Sequence, residues 1–368
     1  MQHVTLIARS AGDGGVANYY DAIKPYLPAA VEYCVIHNPN AVGLFKKVCS
    51  LPPIIWSFTA AMRKADLVCL NPSLVPKSYY RDMLLLCLCR LFREKVIVFF
   101  RGWDVGFEDK ITNSRIGWFI FRKTYGTADA FIVLGDVFER KLMHMGVHAP
   151  IFKMTTVANG HGCSNAAIKE RTALIEREIR CLFMARLVPG KGIDEAVEMY
   201  LALKKRMLNH QVSLTVAGDG PELHRLKTLL RKKHITDVKL VGYVKASAKE
   251  ELLSRMHLLL LPTTYGEGMP NSVLEAMLYG LIIVSTPVGG IPDVVSDGIN
   301  GFLFEINERH NVVERLSGLL RDRGKVAHMA ILNQQTACES FVPEKVAQRL
   351  MHILDSVLTE SAIWTEKG

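Results

Sequence analysis

The chain has 368 residues, 49% hydrophobic and 22% charged, which suits two domains and excludes disorder, collagen and coiled coil. Its formal net charge is +9, and residues 1–160 hold nineteen Lys and Arg against twelve Asp and Glu. That excess suits an anionic partner for the first half, or a plain solvated basic face.

In chain order, His3–Ala8, Val31–Ile36, Leu67–Leu70, Val96–Phe100 and Ala130–Leu134 are nearly continuous apolar runs, which predicts parallel strands covered on both faces. Helices such as Val16–Leu27 and Pro76–Arg93 fall between them. The alternation restarts with Arg180–Ala185, Val212–Ala217, Val238–Val241, His257–Leu261 and Ile282–Ser285, separated by helices including Ile193–Met207 and Pro221–Lys233. The fold class is therefore α/β, with two Rossmann-like domains expected over 1–165 and 166–341. A last helix, Val342–Thr359 within 342–368, is expected to pack back on the first domain. No eighteen-residue run lacks both charges and helix breakers, and MQHVTLIARS reads as a strand, not a signal peptide. Eight cysteines without a CxxC pair point to reduced thiols in the cytoplasm.

Open α/β sheets bind ligands beyond the carboxyl ends of their strands, so loops that follow strands are the informative ones. Thr263–Gly280, TTYGEGMPNSVLEAMLYG, follows such a strand and holds Glu267 and Glu275 eight positions apart. Gly266 and Gly268 allow close backbone approach, and Asn271 or Ser272 is expected to cap a helix whose first amides attract a phosphate or a sugar hydroxyl. Glu275, one turn on, can accept from vicinal hydroxyls, as on ribose, and Glu267 from a sugar ring. The plain alternative is a glycine-rich turn with an acid near a helix start.

This segment resembles the E-x7-E signature of retaining GT-B glycosyltransferases, most closely the family 4 (glycosyl transferases group 1) type. Phe183–Gly192 (FMARLVPGKG), Val216–Glu222 (VAGDGPE), Val241–Val244 (VGYV) and Ser285–Val294 (STPVGGIPDV) agree in order and spacing; Gly14-Gly15 and Asn159-Gly160 match more loosely. The resemblance implies a GT-B fold, two domains facing across a cleft. It implies a retaining enzyme that moves a hexose-type sugar from a nucleotide diphosphate sugar to a hydroxyl. Arg186 and Lys191 would then hold the diphosphate, a fork and a point charge in one loop, or else simply be solvated. Glu267, with the backbone from Gly268 through Met269, Pro270, Asn271 and Ser272, would hold the sugar, and Glu275 the ribose. Val244, Gly14 and Gly15 complete the donor side; alone, the opening glycines fit a tight turn and lack the G-x-G-x-x-G spacing.

Phe99–Asp104, FFRGWD, departs from the family, many members of which carry a His at the position of Arg101. Arg101 cannot serve as a neutral base. It suits a phosphate on an acceptor, and Asp104 an acceptor hydroxyl; the alternative is an ion pair between them holding the loop. No D-x-D and no ligand-spaced cluster occurs, so neither an obligatory metal nor a cofactor is expected.

Val48–Met62 is uncharged and flanked by Lys46-Lys47 and Arg63-Lys64, while Met83–Lys95 mixes apolar and basic residues. Both fit helices buried against a sheet or peripheral contact with an anionic membrane. The expected acceptor is a glycan or lipid-linked glycan of cell-surface polysaccharide assembly, handled in the cytoplasm or at the inner membrane face. No nucleic-acid motif is present. The rivals are a sugar-nucleotide epimerase or hydrolase, a non-catalytic nucleotide-sugar-binding subunit, and an NAD-dependent oxidoreductase, against which His37-Asn38-Pro39 after the second strand counts. Base, sugar, acceptor, linkage and oligomeric state are open at this level.

Overall fold

All ten apolar runs become strands, each within two residues of its expected bounds, in a computed structural model that describes residues 4–8, 15–36, 51–266 and 268–365. The chain divides into two compact units, Met1–Thr155 with Pro343–Gly368, and Thr156–Val342.

The first unit is built on β1 (Val4–Ala8), β2 (Val31–Val35), β3 (Leu67–Leu70), β4 (Lys95–Phe99), β5 (Ala130–Val133) and β6 (Ile151–Lys153). The six pair in the order β2-β1-β3-β4-β5-β6, parallel throughout. Every residue of β3 is fully buried, as a strand with helices over both faces requires, and this explains its unbroken apolar run. Helix Gly15–Ile23 stops short of its expected end at Leu27, because Pro25 lacks an N–H and its ring crowds the preceding turn. Lys24–Tyr26 continues as a single 3-10 turn. Helix Pro343–Thr365 packs beside Gly15–Ile23, and the Leu358 carbonyl accepts from Lys95 Nζ at 3.1 Å.

The apolar stretches of the first half form helices Leu51–Met62 and Pro76–Leu91. Phe58 and Met62, with Leu85, Leu86 and Cys89, are buried, while Trp56, Leu84 and Leu91 point to solvent. Lys46, Lys47 and Val48–Ser50 lie outside the described residues.

The second unit contains β7 (Glu178–Met184), β8 (Gln211–Ala217), β9 (Val238–Gly242), β10 (Leu258–Leu261), β11 (Ile282–Ser285) and β12 (Gly301–Leu303). Their order is β12-β11-β10-β7-β8-β9, again all parallel. Sequence order reverses between β7 and β10, so the loops leaving their carboxyl ends part in opposite directions and open a crevice. In the first unit the same reversal lies between β1 and β3. The two strands not anticipated from sequence, β6 and β12, are three-residue edge strands, too short for a periodic signal.

Candidate functional site

Strands β7 and β10 lie side by side, with Leu258 opposite Cys181 and Leu259 opposite Leu182. The loops that follow them are therefore neighbours, and the Gly190 carbonyl ties them together. It accepts from the Thr264 N–H at 2.8 Å, the Tyr265 N–H at 2.9 Å and Thr263 Oγ1 at 3.2 Å. Gly192 makes this approach possible: its φ is +81°, and a Cβ there would stand 2.0 Å from the Pro262 carbonyl oxygen. The loop after β8 is laced in the same way. A Cβ on Gly218 would meet the Ala185 carbonyl at 1.9 Å, and the Leu187 N–H donates to the Asp219 carbonyl at 2.9 Å.

This lacing brings Arg186 and Lys191 to one aromatic ring. Lys191, only 7% exposed, holds its ammonium 4.4 Å from the centroid of Tyr265, and the exposed Arg186 guanidinium lies 6.0 Å from it. A cation over a tyrosine face is attracted by the ring quadrupole, which offsets part of the cost of burying Lys191. Tyr265 has no periodic signal in the sequence, and only the folded loop reveals it. Glu267 and Gly14 lie outside the described residues.

Helix Asn271–Leu278 begins in the same loop, and the expected cap is corrected here. Pro270 occupies the cap position with φ −72° and ψ 121°, and no side chain caps the helix. Asn271 and Ser272 are its first two residues; the cap position demands extended backbone, which proline adopts readily but without a side-chain acceptor. The segment entering the helix is pinned on two sides: Gly268 accepts from the Gly290 N–H at 2.7 Å, and buried Met269 accepts from Thr156 Oγ1 at 3.2 Å. An N-terminus without a side-chain cap offers its first amides and its dipole to an anion.

Glu275 follows one turn into the helix and is 5% exposed. Its Oε1 lies 2.6 Å from Nζ of Lys249. Burial lifts the Glu275 carboxyl above its ordinary value, and Lys249 and the Asn159 amide oppose that shift without cancelling it. Lys249 belongs to helix Ala246–Arg255; half-buried Val244 stands in the turn leading into that helix. Nothing in ASAKEELLSR separates Lys249 from an ordinary surface lysine. His161 is exposed and bonds through Nδ1 to Glu250 at 2.8 Å, while the Tyr279 hydroxyl donates to the same carboxylate at 2.7 Å.

Other expected residues fall in the first unit. Gly15 is exposed and opens the helix after β1. Arg101, just past β4, stacks its guanidinium 3.6 Å from the ring centroid of Phe99 and 3.9 Å from that of Tyr19. Its Nε donates to Asn71 Oδ1 at 3.0 Å, an oxygen that also accepts from the Tyr20 hydroxyl at 2.8 Å. Burial pushes the Tyr19 phenol up to about 12, against the pull of the neighbouring guanidinium. Asp104 instead caps helix Val105–Thr112, accepting from the Phe107 N–H at 2.7 Å. The alternative of an Arg101–Asp104 ion pair is thereby corrected: the carboxylate faces helix amides while the guanidinium is held in an aromatic stack.

Among the described residues, no group of three or more His, Cys, Asp or Glu side chains is placed to hold a metal ion. No described helix is long and apolar enough to cross a membrane.

Residues 164–336 match the family described as Glycosyl transferases group 1. The chain is similar to the putative colanic acid biosynthesis glycosyltransferase WcaL of Salmonella typhimurium, 23% identical over 73% of this chain and 66% of that protein. It is also similar to the amylovoran biosynthesis glycosyltransferase AmsK of Erwinia amylovora, 26% identical over 58% of this chain and 52% of that one. The chain thus spans between about half and two thirds of the length of these curated relatives. In fold it is similar to Anabaena HepE, solved in complex with UDP and glucose, with a TM-score of 0.70, 20% identity, and coverage of 97% of this chain and 100% of that one. The family match falls within the second unit, in a chain of GT-B-type fold.

Proposed function

We propose that the chain is a retaining glycosyltransferase of cell-surface polysaccharide assembly. It moves a hexose-type sugar from a nucleotide diphosphate sugar to a hydroxyl of a glycan-like, lipid-linked acceptor. The observation that carries this reading is the convergence of Lys191 and Arg186 on Tyr265 at the β7/β10 reversal, in the loops that lead to the helix at Asn271. The names of WcaL and AmsK support a place in polysaccharide biosynthesis, and the UDP and glucose in the HepE structure support a uridine diphosphate sugar as donor.

The chemistry follows from where charge develops. As the bond between the anomeric carbon and the donor phosphate oxygen breaks, the electron pair goes to the diphosphate. Lys191, Arg186 and the amides at the start of Asn271–Leu278 meet that charge with fixed positive groups, so no metal or cofactor is obligatory. Lys191 acts most strongly because it is desolvated. The acceptor oxygen bonds to the anomeric carbon on the face the phosphate leaves, and its proton passes to that phosphate; Arg101 need not act as a base. Glu275 accepts from the ribose hydroxyls, beside Lys249. Glu267, with Gly268 and Met269, positions the sugar, and Val244 borders the nucleoside. The second unit, Thr156–Val342, is the donor domain, and the first, Met1–Thr155 with Pro343–Gly368, is the acceptor domain, in which Arg101 is the cation available to an acceptor phosphate. The enzyme works in the cytoplasm, peripherally at the inner membrane face.

Thermal melting with a panel of nucleotide sugars tests the reading. A ligand at a hundredfold its Kd stabilises by about 2.7 kcal/mol, and Glu275→Ala weakens that effect. A panel in which no nucleotide sugar shifts the transition would refute the function; an undiminished shift in Glu275→Ala would refute the ribose contact.

A further inference from the structure

Helices Leu51–Met62, Pro76–Leu91, Val105–Thr112, Arg115–Lys123 and Asp136–His144 precede β3, β4, β5 and β6 in turn. The crossovers from β2 onward all advance in one direction across the sheet, so right-handed connections place these helices on one face. Their inner sides are core. Their outer sides carry exposed large apolar side chains, among them Trp56, Tyr80, Leu84 and Leu91.

The sharpest case is Arg115–Lys123, RIGWFIFRK. Only Phe121 is buried, while Ile116 is 73% exposed, Phe119 60% and Trp118 39%. Isolated exposed apolar side chains are ordinary, but three large ones within four positions form a patch, and such patches mark interfaces. The cations of the same helix frame it: the Arg122 guanidinium lies 4.9 Å from the Trp118 ring centroid, and Lys123 Nζ 6.0 Å from that of Phe119. Arg115 is exposed at the other end. The helix contains no acid; of the nearest carboxylates in sequence, Asp129 is held by Arg90 at 3.0 Å and Asp109 is exposed on the preceding helix, Val105–Thr112.

We propose that this helix docks on an anionic lipid bilayer. Ile116, Trp118 and Phe119 enter the boundary between headgroups and acyl chains, while Arg115, Arg122 and Lys123 reach the lipid phosphates. Aromatics framed by the three cations of a helix that carries no acid complement a negative, amphipathic surface. The positive excess of residues 1–160 has the same sign. This deepens the reading above and rests on it for its purpose, which is to hold the enzyme where a lipid-linked acceptor lies.

The test is co-sedimentation of the full chain with phosphatidylcholine vesicles, with and without phosphatidylglycerol. The wild-type chain is expected to bind the anionic vesicles and to be released partly by salt. Replacing Arg115, Arg122 and Lys123 together by Gln weakens binding about a hundredfold, each cation near an anionic surface contributing about fivefold. Ile116→Ser with Phe119→Ser abolishes binding while leaving the nucleotide-sugar melting shift unchanged, which also shows that the variant is folded. Wild-type chain that ignores anionic vesicles, or variants that bind as well as wild type, would overturn the proposal. So would a wild-type dimer, seen by light scattering, that becomes monomeric in the Ser variant, since the patch would then cover a second copy. Vesicle binding with no response to any nucleotide sugar would sink the glycosyltransferase reading and leave this surface standing.

Discussion

Replacing Lys249 by Met removes the cation from a carboxylate that is almost wholly buried. Glu275 would lose the ammonium 2.6 Å away. Breaking a buried ion pair by deleting one member costs about 3–5 kcal/mol. Because the Lys249 side chain is 20% exposed, water reaches that side of the pair, and we expect about 2–3 kcal/mol at neutral pH. For a unit of this size that lowers the melting temperature by about 5–10 °C. The pH dependence has a definite sign. Burial already raises the Glu275 carboxyl, so the folded chain holds that proton more tightly than the unfolded chain. Its contribution to stability is full below the ordinary carboxyl value and is lost as pH rises through the folded one. Removing Lys249 raises the folded value further, so the deficit of Lys249→Met relative to wild type is largest at neutral pH and shrinks on acidification. Adding Glu275→Gln should recover much of the loss, because a neutral amide needs no counter-ion. Calorimetric melts of the two single variants and the double variant, at neutral and mildly acidic pH, complete the cycle. A deficit that is the same at both pH values, or that Glu275→Gln does not relieve, would show that the pair is not coupled as described.

Lys191→Ala should lower turnover by about 10²–10³, the usual cost of one donor to a developing anion, with donor-independent folding intact; wild-type turnover by product assay would remove it from the site. In Gly192→Ala the new Cβ meets the Pro262 carbonyl in a left-handed conformation, so the chain should lose more than about 1 kcal/mol and bind nucleotide sugar poorly. A variant melting and binding like wild type would contradict the lacing of the two loops. Asp104→Ala deletes a helix cap and should cost about 1 kcal/mol in denaturant titrations. Should it change donor affinity instead, with stability untouched, the capping role would be wrong.

Much of this protein is legible without coordinates because its strands are short, apolar and local. LLLL at Leu258–Leu261 or LVCL at Leu67–Leu70 can hardly be anything but strands sheathed on both sides, and the loops after them carry the unusual residues. The E-x7-E spacing, FMARLVPGKG and the glycines at 190, 192, 218 and 220 are equally local, so the fold class and the candidate donor loops can be read from them. Tertiary structure alone decided which distant groups meet. Strand order brings Arg186 and Lys191 beside Tyr265, more than seventy residues later in sequence. Packing alone puts Lys249 on Glu275, and turns Arg101 into an aromatic stack and away from Asp104. The orientation of RIGWFIFRK was also undetermined, since its composition suits a buried helix as well as an exposed one. Which side faces water depends on what the rest of the chain has already covered, and that is a property of the whole fold.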